Sequence, residues 1–117
     1  MGLGYFLTEN VIYDSAGHLS TMGTFEYKVP LVKEIPAVFN VTLLDNIYNK
    51  DGILGSKAVG EPPYIIANSM YFALKSAIAA ARKDAGSSEY YALPVPAVVE
   101  TRQLSCLVTP SRFVLPY

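Results

Sequence analysis

The stretch Gly55-Ser56-Lys57-Ala58-Val59-Gly60-Glu61-Pro62-Pro63 concentrates residue types from which a reactive site is made. Its carboxylate, Glu61, stands between a glycine and two prolines. Proline disfavours helical φ/ψ in the residue before it, so Glu61 is expected to be extended. Pro62-Pro63 should open a helix, because backbone donors in a first turn have no partner anyway. A carboxylate fixed between Gly60 and a stiff Pro-Pro at the mouth of a helix has the defined position that a general base needs. The bracketing glycines let the backbone approach another body closely. A plainer reading stands beside this one. Acids are common at helix starts and few are catalytic, so on spacing alone Glu61 reads first as a helix cap. Lys57 likewise reads first as a solvated loop lysine and only then as an anion ligand.

Several elements would have to position these residues. Met1–Thr8 fits a short helix through Leu3, Phe6 and Leu7, or a strand through Tyr5 and Leu7. Val11-Ile12-Tyr13, Asp14–Gly17 and Leu19–Thr21 read as a hairpin, Asp14 bonding its own backbone and Gly17 supplying a positive φ. Phe25–Val29 alternates as a strand up to Pro30. In Val38–Leu44, Phe39, Val41 and Leu43 alternate with Asn40 and Thr42, as in a half-buried strand. Asn46–Gly52 is a polar turn. Ile66, Met70, Leu74 (or Ala73), Ala77 and Ala81 then recur at helical spacing, which predicts a helix over Pro62–Ala85. Arg82 and Lys83 suit its last turn and Gly86 its C-cap. Ser87–Glu89 is a loop, Pro96–Leu104 a short last helix, and Thr109–Tyr117 an extended tail. Strands followed by helices give an α+β fold class: a hairpin and short strands, then a long helix.

Composition narrows the function classes. At 117 residues the chain suits one domain or part of one. Charged residues make up 16%, against about 25% in an average soluble domain. A small free-standing domain has more surface per volume and should carry more charge, so other protein is expected to cover part of this chain. Net charge is −1 without any basic run, which argues against phosphate-tracking nucleic-acid binding. The most apolar stretch, Tyr64–Ala81, is interrupted by Asn68, Ser69, Lys75 and Ser76 and makes a poor membrane span. Met1–Leu7 lacks the basic start and apolar core of a secretory signal. Cys106 and His18 are each single, so neither a disulfide nor a zinc site of Cys and His can form within the chain. A reducing, cytoplasmic location fits. The apolar Tyr64–Ala81 stripe reads as core and the tyrosines as packing residues.

The segment Gly55–Pro63 resembles the one that carries the active-site glutamate of xanthine dehydrogenases and aldehyde oxidases. Gly2-Leu3-Gly4, Tyr27-Lys28-Val29-Pro30, Ile35-Pro36, Phe39-Asn40-Val41 with Leu43-Leu44, and Ala80-Ala81-Arg82 fall in that family's order and spacing. The resemblance covers residues 1–86, and 87–117 reads as a divergent C-terminal tail. It implies that the whole chain, 1–117, is the C-terminal part of a molybdopterin-binding domain. In that family the glutamate matching Glu61 takes a proton from a hydroxyl on molybdenum. The oxygen then attacks an electron-poor carbon of an N-heterocycle or aldehyde, and hydride passes to a sulfido ligand. The resemblance further implies that Lys57, Ala58, Val59 and Gly60 line the molybdopterin through their backbone. FAD and 2Fe-2S clusters would lie elsewhere in the full-length enzyme, a homodimer whose remaining chain partners this piece. Met1 stands where the family has an interior glutamine, so the chain is expected to start in mid-domain. A rival from another class is a non-catalytic protein-interaction domain that keeps the fold. The intact Gly60-Glu61-Pro62-Pro63 favours the enzyme.

Overall fold

The computed structural model describes residues 1–45, 47–57 and 59–109. Among these residues four α-helices form the scaffold: α1 over Gly2–Leu7, α2 over Pro62–Ile66, α3 over Asn68–Asp84 and α4 over Val99–Ser105. Single 3-10 turns occupy Val32–Glu34 and Ile53–Gly55. This corrects the α+β expectation, because the described residues contain no sheet and their one isolated β-bridge is the antiparallel Tyr13–Leu19 pair.

The turn of the expected hairpin forms without its strands. Asp14 Oδ1 accepts from the amides of Ala16 at 2.9 Å and His18 at 2.8 Å. Gly17 takes φ +84°. Beyond Tyr13–Leu19 the ladder stops, consistent with the marginal stability of an isolated two-stranded hairpin. Phe25–Val29 and Val38–Leu44 are not strands either. Their alternation needs a ladder partner and a core face, and the described residues offer neither: Phe39 is 70% and Leu43 85% exposed. Of the expected turn at 46–52, Asn46 lies outside the described residues. Asn49 ties the rest to the following loop, its Nδ2 donating to the Ser56 carbonyl at 2.8 Å. The expected extended tail also lies outside them from Pro110 onward.

The long helix is present but broken at Ala67. There α2 ends and α3 begins, with the Ala67 amide bonded to Pro63 O at 3.0 Å and the Met70 amide to Ala67 O at 3.2 Å. The buried face also differs from the expected one. Leu74 turns inward as expected and Met70 and Ala81 are half-buried, but Tyr71, Ile78 and Arg82 also turn inward, while Ile66 and Ala77 are exposed. At the C-terminus Gly86 has φ +80°, and the amides of Gly86 and Ser87 bond the carbonyls of Lys83 and Arg82. That pair of bonds is the Schellman pattern expected of a glycine at this position.

The core is small: Ile78, Leu93 and Ala97, surrounded by Leu7, Tyr71, Leu74, Tyr91 and Cys106. Polar bonds bind the last third of the chain to α1 and α3. Ala97 N donates to Phe6 O at 2.8 Å, Tyr91 OH to Lys75 O at 2.5 Å, and Tyr71 OH to Leu93 O. Two arginines hold the exposed carbonyl ends of helices, where cations are favoured. Buried Arg82 donates from Nη1 to Ser105 O of α4 at 2.9 Å and lies 4.8 Å over the Tyr91 ring. Arg102 donates to Ala97 O at 2.6 Å and to Leu7 O, the end of α1, at 2.8 Å. The expected last helix, Pro96–Leu104, is therefore α4, shifted toward the C-terminus and tied at both ends.

Candidate functional site

Glu61 is the N-cap residue of α2, with Pro62 and Pro63 in the first turn as expected. Its backbone carbonyl accepts from Tyr64 N at 2.8 Å, while its side chain makes no capping hydrogen bond. The carboxylate is exposed. Its backbone corrects one expectation: φ −82° and ψ −38° are helical, not extended. Pre-proline sterics oppose that conformation, but continuing the turn lets Glu61 O accept the Tyr64 amide. Glu61 is thus joined to the first turn of α2.

Lys57, Val59 and Gly60 are exposed, and Ala58 lies outside the described residues. Among the described residues a Cβ placed on Gly60 would meet nothing within 4 Å. Gly55 does meet its own chain. It holds φ +79°, which glycine adopts at least cost, and the Tyr48 ring lies 3.4 Å from the position its Cβ would take. Lys57, Val59, Gly60 and Glu61 are thus all exposed. Neither of the two larger described grooves contains them. One, about 700 Å³, runs between Leu3, Leu31, Ile35 and Phe39, and the other, about 490 Å³, between Leu7, Ile12, Val29 and Val98.

Apolar residues in the loop and beside it in sequence are exposed: Ile53, Leu54, Val59, Ile65 and Ile66. Among the described residues the fold shifts the titrations of three. Tyr27 is raised by its hydrogen bond to Glu9 Oε2 at 2.6 Å, Tyr91 is raised by burial, and Asp14 is lowered by the His18 amide.

Sequence reasoning missed the two arginine clamps and the seat of α1 on the helix behind Glu61. Basic residues near helix ends were the available signal for Arg82 and Arg102. Nothing in the pattern says that Arg82 would be buried without a carboxylate among the described residues. Gly2 is the second miss. Its Cβ would fall 2.3 Å from Ala67 Cβ and 3.8 Å from Tyr64 Cα.

Over 108 residues, 92% of its length, the chain is 41% identical to a xanthine dehydrogenase/oxidase of Gallus gallus. It is 38% identical over 116 residues, 99% of its length, to a xanthine dehydrogenase of Dictyostelium discoideum. An abscisic-aldehyde oxidase of Arabidopsis thaliana is 38% identical over 112 residues, 90% of the chain. The chain belongs to the xanthine dehydrogenase and aldehyde oxidase family. It spans about 8% of the length of these curated relatives. No protein-family model matches it. Among the described residues no helix is long and apolar enough to cross a membrane.

Proposed function

We propose that this chain supplies the general base of a molybdenum hydroxylase that oxidises N-heterocycles or aldehydes, and that Glu61 is the base. The observation that carries the reading is the extent of the similarity. A match over 116 of the 117 residues necessarily includes Glu61 and the loop before it, and the relatives named are oxidoreductases of these two substrate classes. The geometry supports it in three ways. The carboxylate is not engaged in a capping bond, so it is free to accept a proton. Pro62 and Pro63 limit the backbone freedom of the turn that carries it. Gly60 leaves open space where a cofactor edge can approach the main chain.

These features fit a molybdenum–molybdopterin group set against Lys57, Ala58, Val59 and Gly60. Bound there, it would supply the electron acceptor and the Lewis acidity that makes a water-derived proton removable near neutral pH. Glu61 would take that proton and hold it at a carboxylate oxygen. The exposed apolar residues around the loop would exclude water once other protein covers them. The remaining protein of the enzyme would carry FAD and 2Fe-2S clusters, and the whole would be a cytoplasmic homodimer.

The test is Glu61→Gln in a Gallus gallus enzyme carrying this chain in place of its matched segment. The substitution keeps side-chain shape and deletes basicity, and loss of a general base costs ~10²–10⁴-fold in rate. The expected result is that loss with bound molybdenum unchanged. Turnover within a few-fold of the unsubstituted enzyme overturns the assignment, and loss of metal makes Glu61 structural. An interaction domain without catalytic role predicts no effect on turnover.

A further inference from the structure

The seat of α1 on the α2–α3 junction adds a second residue to the reading of Glu61 as a base. Tyr64 is the i+3 neighbour of Glu61 and Ala67 that of Tyr64, so the face that carries Tyr64 and Ala67 begins one step from Glu61 in the turn and a half that makes α2. Two backbone bonds stiffen that face: Tyr64 N to Glu61 O at 2.8 Å and Ala67 N to Pro63 O at 3.0 Å. Gly2, at the start of α1, sits directly on it. A methyl group at Gly2 would come within 2.3 Å of the Ala67 Cβ and 3.8 Å of the Tyr64 Cα. The first distance is far inside any carbon–carbon contact, and the second is an ordinary one.

The far side of this contact is anchored. α1 cannot simply slide away, because its last carbonyl, Leu7 O, is held by Arg102 at 2.8 Å and Phe6 O by the Ala97 amide at 2.8 Å. Gly4 is buried against Glu9 and Pro30. α3 is anchored in turn by Tyr71 and Arg82. The least restrained body near Gly2 is α2, whose one end is the break at Ala67 and whose other end is Glu61.

We propose that Gly2 is a positioning residue: its missing side chain lets α1 seat against Ala67 and so sets the direction in which α2 presents Glu61. A methyl at position 2 must part the two backbones by about 1 Å to reach ordinary contact. A misplacement of that size near a reacting group costs on the order of 10²-fold in rate.

The contact predicts its own rescue. The clash is with the Ala67 methyl alone, so Ala67→Gly restores the space that Gly2→Ala fills. In the chimaeric holoenzyme, Gly2→Ala should lower kcat roughly 10–100-fold per molybdenum-loaded molecule, with KM nearly unchanged. Gly2→Ala combined with Ala67→Gly should return kcat to within a few-fold of the parent. A merely structural role would reduce the yield of enzyme and leave kcat per loaded molecule intact, and that result overturns the proposal. So does a double variant that folds and loads but stays slow. Where Gly2→Ala alone does not accumulate, the double variant decides in the same way.

The inference rests on Glu61 acting as the base, and Glu61→Gln in the same enzyme separates the two. If Glu61→Gln leaves turnover intact while the Gly2 and Ala67 variants lower and restore kcat, the base assignment fails. Gly2 then positions some other group on α2.

Discussion

Produced alone, the 117-residue chain should associate, and the extent can be worked from its surface. Its accessible area is 9904 Å² for a mass of 12.7 kDa. A compact monomer of that mass exposes on the order of 6,200 Å². The difference, roughly 3,700 Å², is more than four times the ~800 Å² that one partner contributes to a standard interface. The dimensions agree: the radius of gyration is 19.3 Å, against about 13 Å for a compact domain of 100 residues. Much of the surplus is apolar, including Phe25 at 83%, Leu43 at 85% and Leu54 at 101% exposure. Surfaces of this kind promote association. Size-exclusion chromatography with light scattering should therefore find oligomers or aggregates at micromolar concentration, with strong binding of a hydrophobic dye. Metal analysis should find no molybdenum, and neither heterocycles nor aldehydes should be oxidised. Phe39→Ser with Leu43→Ser should lessen association without loss of helical signal, since neither side chain contributes to the Ile78–Leu93–Ala97 core. A monodisperse monomer with a radius near 13 Å, no dye binding and stoichiometric molybdenum would refute the reasoning.

Three further outcomes are expected. In the chimaeric enzyme, Gly60→Val should reduce molybdenum content more than it disturbs α2, because the added side chain meets nothing in this chain and fills space left for another body; normal metal content would remove Gly60 from the cofactor surface. Arg82→Leu should destabilise the packing of α4 on α3 by about 2 kcal/mol, the scale of a charge-assisted hydrogen bond from a buried arginine. Faster hydrogen exchange confined to α4 and its contacts would report it, and unchanged exchange would show that the clamp is dispensable. The turn at Asp14 should loosen in acid. The His18 amide bond lowers the Asp14 pKa below 3.8 in the folded turn, so the turn's stabilisation is present above 3.8 and lost as pH falls through the folded value. Protection of the His18 amide should follow that window, and Asp14→Asn should abolish the pH dependence.

Short-range physics was legible in the sequence. Gly17 and Gly86 adopt the positive φ expected of a turn and a helix end. Pro62-Pro63 opens a helix, and Asp14 bonds its own turn. Each depends on a residue and neighbours within about five positions, so local chemistry suffices. The loop 55–63 was legible as a unit for the same reason: its glycines, acid and prolines are adjacent.

Contacts between distant residues decided the rest. Alternation in Val38–Leu44 specifies a face but cannot supply a ladder partner, and without one among the described residues the expected strand does not form. Leu74 was read on the inward face of α3, but Ile78 and Arg82 stand one position beyond the expected Ala77 and Ala81. Which side of a helix turns inward depends on what packs there, here Leu93 and Ala97 from a later part of the chain. The seat of Gly2 falls at the Ala67 break. Proline after a carboxylate predicts extension only while no backbone bond of the following turn opposes it, and here Glu61 O accepts from Tyr64 N. Gly2 lies sixty-five positions from Ala67, and no spacing rule reaches that far. The sequence determined which residues can do chemistry. Only the tertiary structure decided that α1 seats against α2 and α3 behind Glu61, because that contact requires two distant segments to share one space.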